Sequence, residues 1–408
     1  MTDLTSPANP TATDAERAPL SMVPFAFAYW GFFAYLGSTG PWLTTYHKSL
    51  GFDQATAGRL MALFTASAIV GGWTSARFAD ARRARRQLQR ALSLIAGVAC
   101  VGWLFVDDAW TAAAVIMIQG LCVGPQISML DAATVDGLRG ERRRYGAVRV
   151  WGSISWGVGT LIIGATLHAD PGALWIIPVS LSGWLLAFHL TTWRLPDTQA
   201  QALHDRPKLD LRAAFRSPAM LALLGTSALH GIAFGNYEYF SAQTFRGFGM
   251  TTLEIALLLN IGIVFESIVF RIAPRLLARW SPLTLAVTAL LATTLRWAAM
   301  PLIDTRAGFA VLQPTHAFTF ALWYSAALHL IARLVHAEVR TTGQTLLFMS
   351  LSCGMTIGVA AGGALRDATD DALTFFVAAG VELCAALLLL LAAPAFKDAR
   401  RIGAAASD

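Results

Sequence analysis

Charged residues are scarce in this chain. Asp, Glu, Lys and Arg make up 14% of its 408 residues, where a soluble domain carries roughly 25%. Apolar residues make up 55%, so the excess apolar surface needs an apolar solvent. Cysteine is rare too. Cys100, Cys122, Cys353 and Cys384 all fall inside apolar runs, without CxxC spacing or a nearby histidine set. They read as small buried hydrophobes, which excludes a disulfide framework, and no metal or other cofactor is expected. The chain has no Walker A loop, which excludes ATP hydrolysis within it. HExxH, GxSxG and a Gly-rich Rossmann turn are also missing, so an enzyme is not expected. The net charge of +6 sits in short clusters between apolar runs, with no basic-aromatic surface for nucleic acid.

What the chain has in abundance is long apolar runs. A membrane-spanning helix needs about 20 mostly apolar residues. Runs of that kind cover 22–46, 55–76, 88–106, 110–135, 148–168 and 174–193, then 218–245, 252–272, 282–301, 307–335, 344–365 and 372–393. The expected fold is an all-α membrane protein of about twelve transmembrane helices. Residues 1–20 are polar and lack the basic start of a signal peptide, so they read as a disordered tail before a retained first helix. The longest polar loop, 195–217, separates a six-helix bundle at 21–194 from a second at 218–394, with a tail at 395–408.

Orientation follows from Lys and Arg, which concentrate in cytoplasmic loops. Of the 31 basic residues, all but Lys48, Arg59, Arg246, Arg296, Arg306 and Arg366 fall on one side. The alternate loops are short and acidic, as at Asp107-Asp108, Asp170 and Asp370-Asp371. Both termini are therefore expected in the cytoplasm of a bacterium, with the chain crossing its inner membrane many times.

Two segments carry a family resemblance. The loop after the second run reads Ala76-Arg77-Phe78-Ala79-Asp80, then Arg82-Arg83 and Arg85-Arg86. It resembles the Gly-x3-Asp-Arg-x-Gly-Arg-Arg signature of the major facilitator superfamily, with Ala76 at the first glycine and the internal glycine missing. That likeness implies a cytoplasmic gate at Asp80, Arg82 and Arg83; a plain positive-inside cluster is the other reading. The fifth run opens Tyr145-Gly146-Ala147-Val148-Arg149-Val150-Trp151-Gly152-Ser153-Ile154. This resembles the phenylpropionate-permease family, a major facilitator branch related to lactose permease. Leu130-Asp131-Ala132, Leu295-Arg296-Trp297 and Gln313-x-x-His316-x-Phe318 agree with it. The resemblance implies two pseudo-symmetric halves of six helices, alternating access, no cofactor, and a monomer. It also implies symport of protons with a small organic solute, such as an aromatic carboxylate. Other readings are a sugar or nucleoside symporter, a drug exporter, or a non-transporting sensor or assembly factor.

Ionisable residues inside spans are costly and mark function by default. Asp131 and Arg149 lie at similar depth on the fourth and fifth runs, so they can pair. Either they hold two helices together, or they bind substrate and couple protons. Glu266, Arg296 and His316 sit inside the eighth, ninth and tenth runs. Glu266 and His316 are candidate proton carriers with Asp131; Arg296 and Arg149 are candidate partners for an anion. Lactose permease is similar in having a glutamate, an arginine and a histidine on these helices. Its further carboxylate one turn on is Thr319 here, which argues against borrowing its coupling whole. The substrate-binding set is completed by Gln126, Gln313, His230, Tyr237, Tyr29, Phe33 and Trp151. Glu238 reads as a wet residue near one mouth, and Glu382 as the partner of a neighbouring helix. Gly354, Gly358 and Gly362 repeat every four residues, a ridge suited to rocking of the halves or to plain tight packing.

Overall fold

The computed structural model describes residues 20–82, 84–138, 141–195, 216–336 and 339–397. Among these the chain is helical, which satisfies the backbone within each segment where no water can. The first six segments are α1 (Val23–Thr39, continued by Leu43–Ser49), α2 (Gln54–Arg82), α3 (Arg85–Val101), α4 (Ala109–Val123 and Gln126–Gly137), α5 (Arg142–Ala169) and α6 (Ile176–Thr192). The last six are α7 (Pro218–Gly247), α8 (Thr252–Arg279), α9 (Pro282–Ala299), α10 (Arg306–Leu312 through Trp323–Leu334), α11 (Arg340–Ala368) and α12 (Asp371–Leu391). Ten segments are long and apolar enough to cross a membrane, and α6 is a shorter apolar helix.

Helix starts follow local chemistry. Asp108 caps α4 in a capping box with Thr111, and Thr251 caps α8 with Glu254. Ser217 and Ser281 cap α7 and α9, each followed by proline at the first turn. The first helix of each six ends the same way. Leu50-Gly51-Phe52 and Phe248-Gly249-Met250 both turn through a positive-φ glycine, at 84° and 76°. Asp53 and Thr251 then cap the next helix in each set. This repeated turn ties the two sets of six to one plan.

Among the described residues, three of these segments are broken along their length, each at a proline. Pro41 interrupts α1, Pro125 interrupts α4, and Pro314 interrupts α10. In α10 the break is a 3-10 turn at Gln313–Thr315 followed by a π turn at Phe318–Leu322. Pro274 lies inside α8 without ending it.

Packing is tightest between α1 and α5, α2 and α4, and α3 and α6 in the first set. In the last set α7 packs on α11 and α12, and α9 on α12. The two sets meet through α2 on α11 and α5 on α8. The described bonds between them lie away from the chain termini or near mid-depth. Asp367 accepts the Gln54 and Ala55 backbone N–H groups at 3.1 and 2.6 Å. Thr44 donates to the Tyr239 carbonyl at 2.6 Å, and Thr252 to that of Gly164 at 2.8 Å. Thr65 meets Thr356 at 2.7 Å, and Asn260 donates to the Gly157 carbonyl at 3.3 Å.

The glycine ridge of α11 has a different partner from the one expected for rocking. Gly354, Gly358 and Gly362 pack on Ala228, Ile232 and Asn236 of α7, within the last six helices. Close approach across the two sets falls instead to Gly58 and Gly363 between α2 and α11, and to Gly157 and Gly164 of α5 against α8. A Cβ on Gly58 would stand 2.6 Å from the Val359 carbonyl oxygen and 3.1 Å from Gly363 Cα. Gly58→Leu is therefore expected to wedge α2 from α11, an overpacking cost of about 1–3 kcal/mol. Spin labels on the ends of α2 and α11 near Gln54 and Asp367 should then report a longer distance.

Cysteine placement also differs in part from expectation. Cys100 and Cys122 are buried, but Cys353 and Cys384 are exposed on helix surfaces; all four are free. Apolar runs place a residue in the membrane without saying whether it faces protein or lipid.

Candidate functional site

The site lies where the broken helices α1, α4 and α10 meet α5, α7 and α8. On the first set, the Tyr29 hydroxyl donates to Asp131, and Tyr145 donates to the same oxygen at 3.1 Å. Two phenols therefore occupy the carboxylate that charge arithmetic would pair with Arg149. Arg149 stands instead over the Phe33 ring at 4.1 Å and near the Tyr29 ring at 5.5 Å. Among the described ion pairs, none joins Asp131 to Arg149, although the Arg149 charge still bears on Asp131. The rings of α1 reach the guanidinium because α1 and α5 pack closely at Gly152. A Cβ there would lie 2.8 Å from Arg149 and 3.0 Å from Phe33.

On the last set, His316 Nε2 lies 3.5 Å from Glu266, with side chains 10% and 13% exposed. His316 projects from the stretch between the 3-10 and π turns of α10. Short π segments in helices frequently mark functional positions. The Arg149 charge bears on Glu266 from the other set, as does the Glu238 carboxylate from α7. Tyr324 of α10 likewise comes near Asp131 and Arg149. Charged groups of both sets thus face one region.

Arg296 does not join Glu266. It is 1% exposed, and its guanidinium donates to the Leu312 carbonyl at 3.0 Å, Thr315 Oγ1 at 3.2 Å and Gln313 Oε1 at 3.1 Å. Tyr237 and Trp297 rings stand 5.0 and 5.2 Å from it. One acceptor is a backbone carbonyl at the break and two are side chains of the 3-10 turn, so Arg296 braces the broken helix. A hydrogen bond donated by a charged group contributes about 1.5–3 kcal/mol. Arg296→Ala should therefore lower the melting temperature of the detergent-purified protein well beyond Arg149→Ala. A normally stable Arg296→Ala protein that had lost only substrate binding would return Arg296 to the anion-binding role.

Gln313 accepts from both Arg296 and Tyr237, the latter at 3.2 Å, and so belongs to the same brace. Gln126 is fully buried at the α4 break and donates to the Cys122 carbonyl at 3.0 Å. His230 pairs with Glu382 at 2.8 Å, both fully buried, which gives Glu382 the neighbouring-helix partner expected for it. Trp151 is not brought to the site. It is 43% exposed and packs on Trp30 at 6.0 Å. Two positions on a helix are separated by about 200°, so Trp151 and Arg149 point to opposite sides of α5. The side chains of Asp80 and Arg82, and all of Arg83, lie outside the described residues. Tyr145, Tyr324 and Glu238 belong to the site beyond the expected set. Glu238, expected at a wet mouth, is half-buried beside Gly40 at the α1 break and near Glu266.

Comparisons with known proteins agree with this architecture. A model of the MFS_1 like family matches residues 22–377. A protein of Escherichia coli (strain K12) named "Probable 3-phenylpropionic acid transporter" is 25% identical over 329 residues, covering 76% of this chain and 82% of that protein. Maltose permease of Geobacillus stearothermophilus is 27% identical over 175 residues, 42% of this chain and 43% of that protein. The crystal structure of the nucleoside transporter NupG matches with TM-score 0.78, over 91% of this chain and 98% of that one. A point mutant of it reaches 0.81 over 91% and 99%. Identity to both is 16%, so that likeness is one of fold. The chain belongs to the MFS_1 like family and is a multi-pass membrane protein of the major facilitator fold. Its relatives are transporters, not enzymes.

Proposed function

We propose that this protein is a proton-coupled symporter of a small aromatic carboxylate, working by alternating access. The carrying observation is the state of Arg149. It lies on aromatic rings, forms none of the described ion pairs, and its charge bears on Asp131 within its own set and on Glu266 across the two sets of helices. An arginine stays charged, so it needs an anion from somewhere. Glu266 supplies that negative charge when no substrate is present. A proton arriving on Glu266 removes the competing charge, and a substrate carboxylate takes its place at Arg149. Phe33 and Tyr29 then meet the substrate's ring. One proton and one carboxylate move together, and both leave when the site opens on the other side.

The relative named for 3-phenylpropionic acid supports this substrate class. The basic residues near the termini support a cytoplasmic location for both ends in a bacterial inner membrane. On that orientation, the bonds at Asp367 and Thr44 close the outer end, which suits a site reached from the cytoplasm. Asp80, Arg82 and Arg83 would gate that side, and a monomer suffices for the cycle.

Uptake into proteoliposomes under an imposed pH gradient tests the reading, with labelled 3-phenylpropionate, a sugar and a nucleoside compared. Accumulation of 3-phenylpropionate alone, abolished by a protonophore, is expected. Gradient-driven uptake of the sugar or the nucleoside instead would replace the substrate class, and protonophore-insensitive uptake would remove the coupling.

A further inference from the structure

A line of side chains runs from α12 to the site, and the proposed cycle does not use its far end. Glu382 is fully buried and bonds Nδ1 of His230, itself fully buried on α7. The His230 ring stacks on Phe234, one turn along α7, at 6.0 Å and 1° from parallel. Phe234 stands against His316 at 6.1 Å and 30°, and His316 meets Glu266. The order is carboxylate, imidazole, phenyl, imidazole, carboxylate, spread over α12, α7, α10 and α8.

We propose that Glu382 is a positioning residue for the Glu266–His316 pair, acting through His230 and Phe234. This rests on reading that pair as the proton-binding groups. A carboxylate deep in a span is retained only against a strong disadvantage, so it marks a role. By taking Nδ1, Glu382 fixes the tautomer and the plane of the His230 ring, as carboxylates do for other working histidines. The remaining His230 nitrogen, Nε2, has no described partner, so no second bond holds the ring. Trp323 closes the other side of His230 at 5.4 Å. Phe234 is therefore seated by His230 and in turn seats His316, whose Nδ1 also has no described partner. The titratable groups facing His316 are Glu266 from α8, Arg296 from α9, and His230 and Tyr237 from α7. Among the described residues, His230 is the titratable group that faces Glu382.

The test is NMR of the full-length protein in nanodiscs with isotope-labelled histidine, titrated with protons alone. The His316 ring signal is assigned by its loss in His316→Asn. Glu382→Leu is expected to move the His316 signal, and Glu382→Gln to leave it, because the amide oxygen still accepts from Nδ1. Phe234→Leu keeps the Glu382–His230 bond but breaks the line, so it should reproduce the Glu382→Leu shift. It also decides the matter if Glu382→Leu does not fold. In proteoliposomes, Glu382→Leu should lose gradient-driven accumulation of 3-phenylpropionate while keeping exchange, and Glu382→Gln should keep both. A His316 signal unmoved by Phe234→Leu, or moved as far by Glu382→Gln as by Glu382→Leu, overturns the positioning role. Wild-type uptake that ignores the pH gradient would instead sink the proton reading, and the NMR shifts would still stand or fall on their own.

Discussion

Glu266→Gln is expected to abolish accumulation of substrate against a gradient while leaving exchange of substrate for substrate intact. One proton moving down one pH unit releases about 1.4 kcal/mol, which sustains about tenfold accumulation. The amide keeps the size of Glu266 and can reach His316, but it carries neither charge nor titratable proton. Arg149 then has no competing carboxylate across the interface, so substrate binds without waiting for a proton. Accumulation at one pH unit should fall from about tenfold to none. Counterflow, in which labelled substrate exchanges with unlabelled, needs no net proton and should persist. The comparison is made in proteoliposomes at equal protein density. A Glu266→Gln protein that still accumulates tenfold would remove Glu266 as the carrier, leaving Asp131 or Glu238 to be tested.

Arg149→Gln carries the second large effect, on binding itself. A hydrogen bond to a charged group contributes about 1.5–3 kcal/mol, so losing the guanidinium should weaken 3-phenylpropionate by roughly 10- to 150-fold. Arg149→Lys keeps the charge but loses the planar fork and the stacking on Phe33 at 4.1 Å, so its loss should be intermediate. An uncharged analogue of similar shape, 3-phenylpropanamide, should be indifferent to both changes. Equal weakening of the acid and the amide would mean that Arg149 shapes the site without binding the anion. Titration of the purified protein by calorimetry separates these results.

Much of the fold was legible in the residues. The helical, multi-span fold rests on long apolar runs that the chain carries in plain order, whereas the caps at Asp108, Ser217, Thr251 and Ser281 and the breaks at the prolines emerged only from the structure. The intramembrane carboxylates Asp131 and Glu266 were legible for a different reason, since charge in a span is conspicuous. What did not show was azimuth. Counting residues gives depth along the membrane normal, and on that basis alone Asp131 and Arg149 stand level. It could not say that Tyr29 and Tyr145 would reach Asp131 first, because that depends on how α1 and α4 are rotated. Trp151 failed on the same ground: it belongs to the motif but lies on the far side of α5 from Arg149.

The bonds of Arg296 to Leu312, Gln313 and Thr315 were not legible, because they depend on how the turn at Pro314 presents those groups to α9. The π turn at Phe318–Leu322 then alters the register, so helical counting from Gln313 to Tyr324 misplaces the later residue. The glycine ridge on α11 announced a close neighbour without naming it. Small residues every four positions fit any helix that approaches, and α7 does so from within the same six.

The proton and the carboxylate are claimed to exchange places at Arg149, and linkage makes that claim measurable without transport. Adding 3-phenylpropionate to the purified protein in lightly buffered solution, at a pH where Glu266 is ionised, should draw in about one proton per molecule bound. The uptake should vanish in Glu266→Gln even though binding remains. Tight binding to the wild-type protein with no proton taken up would contradict the exchange.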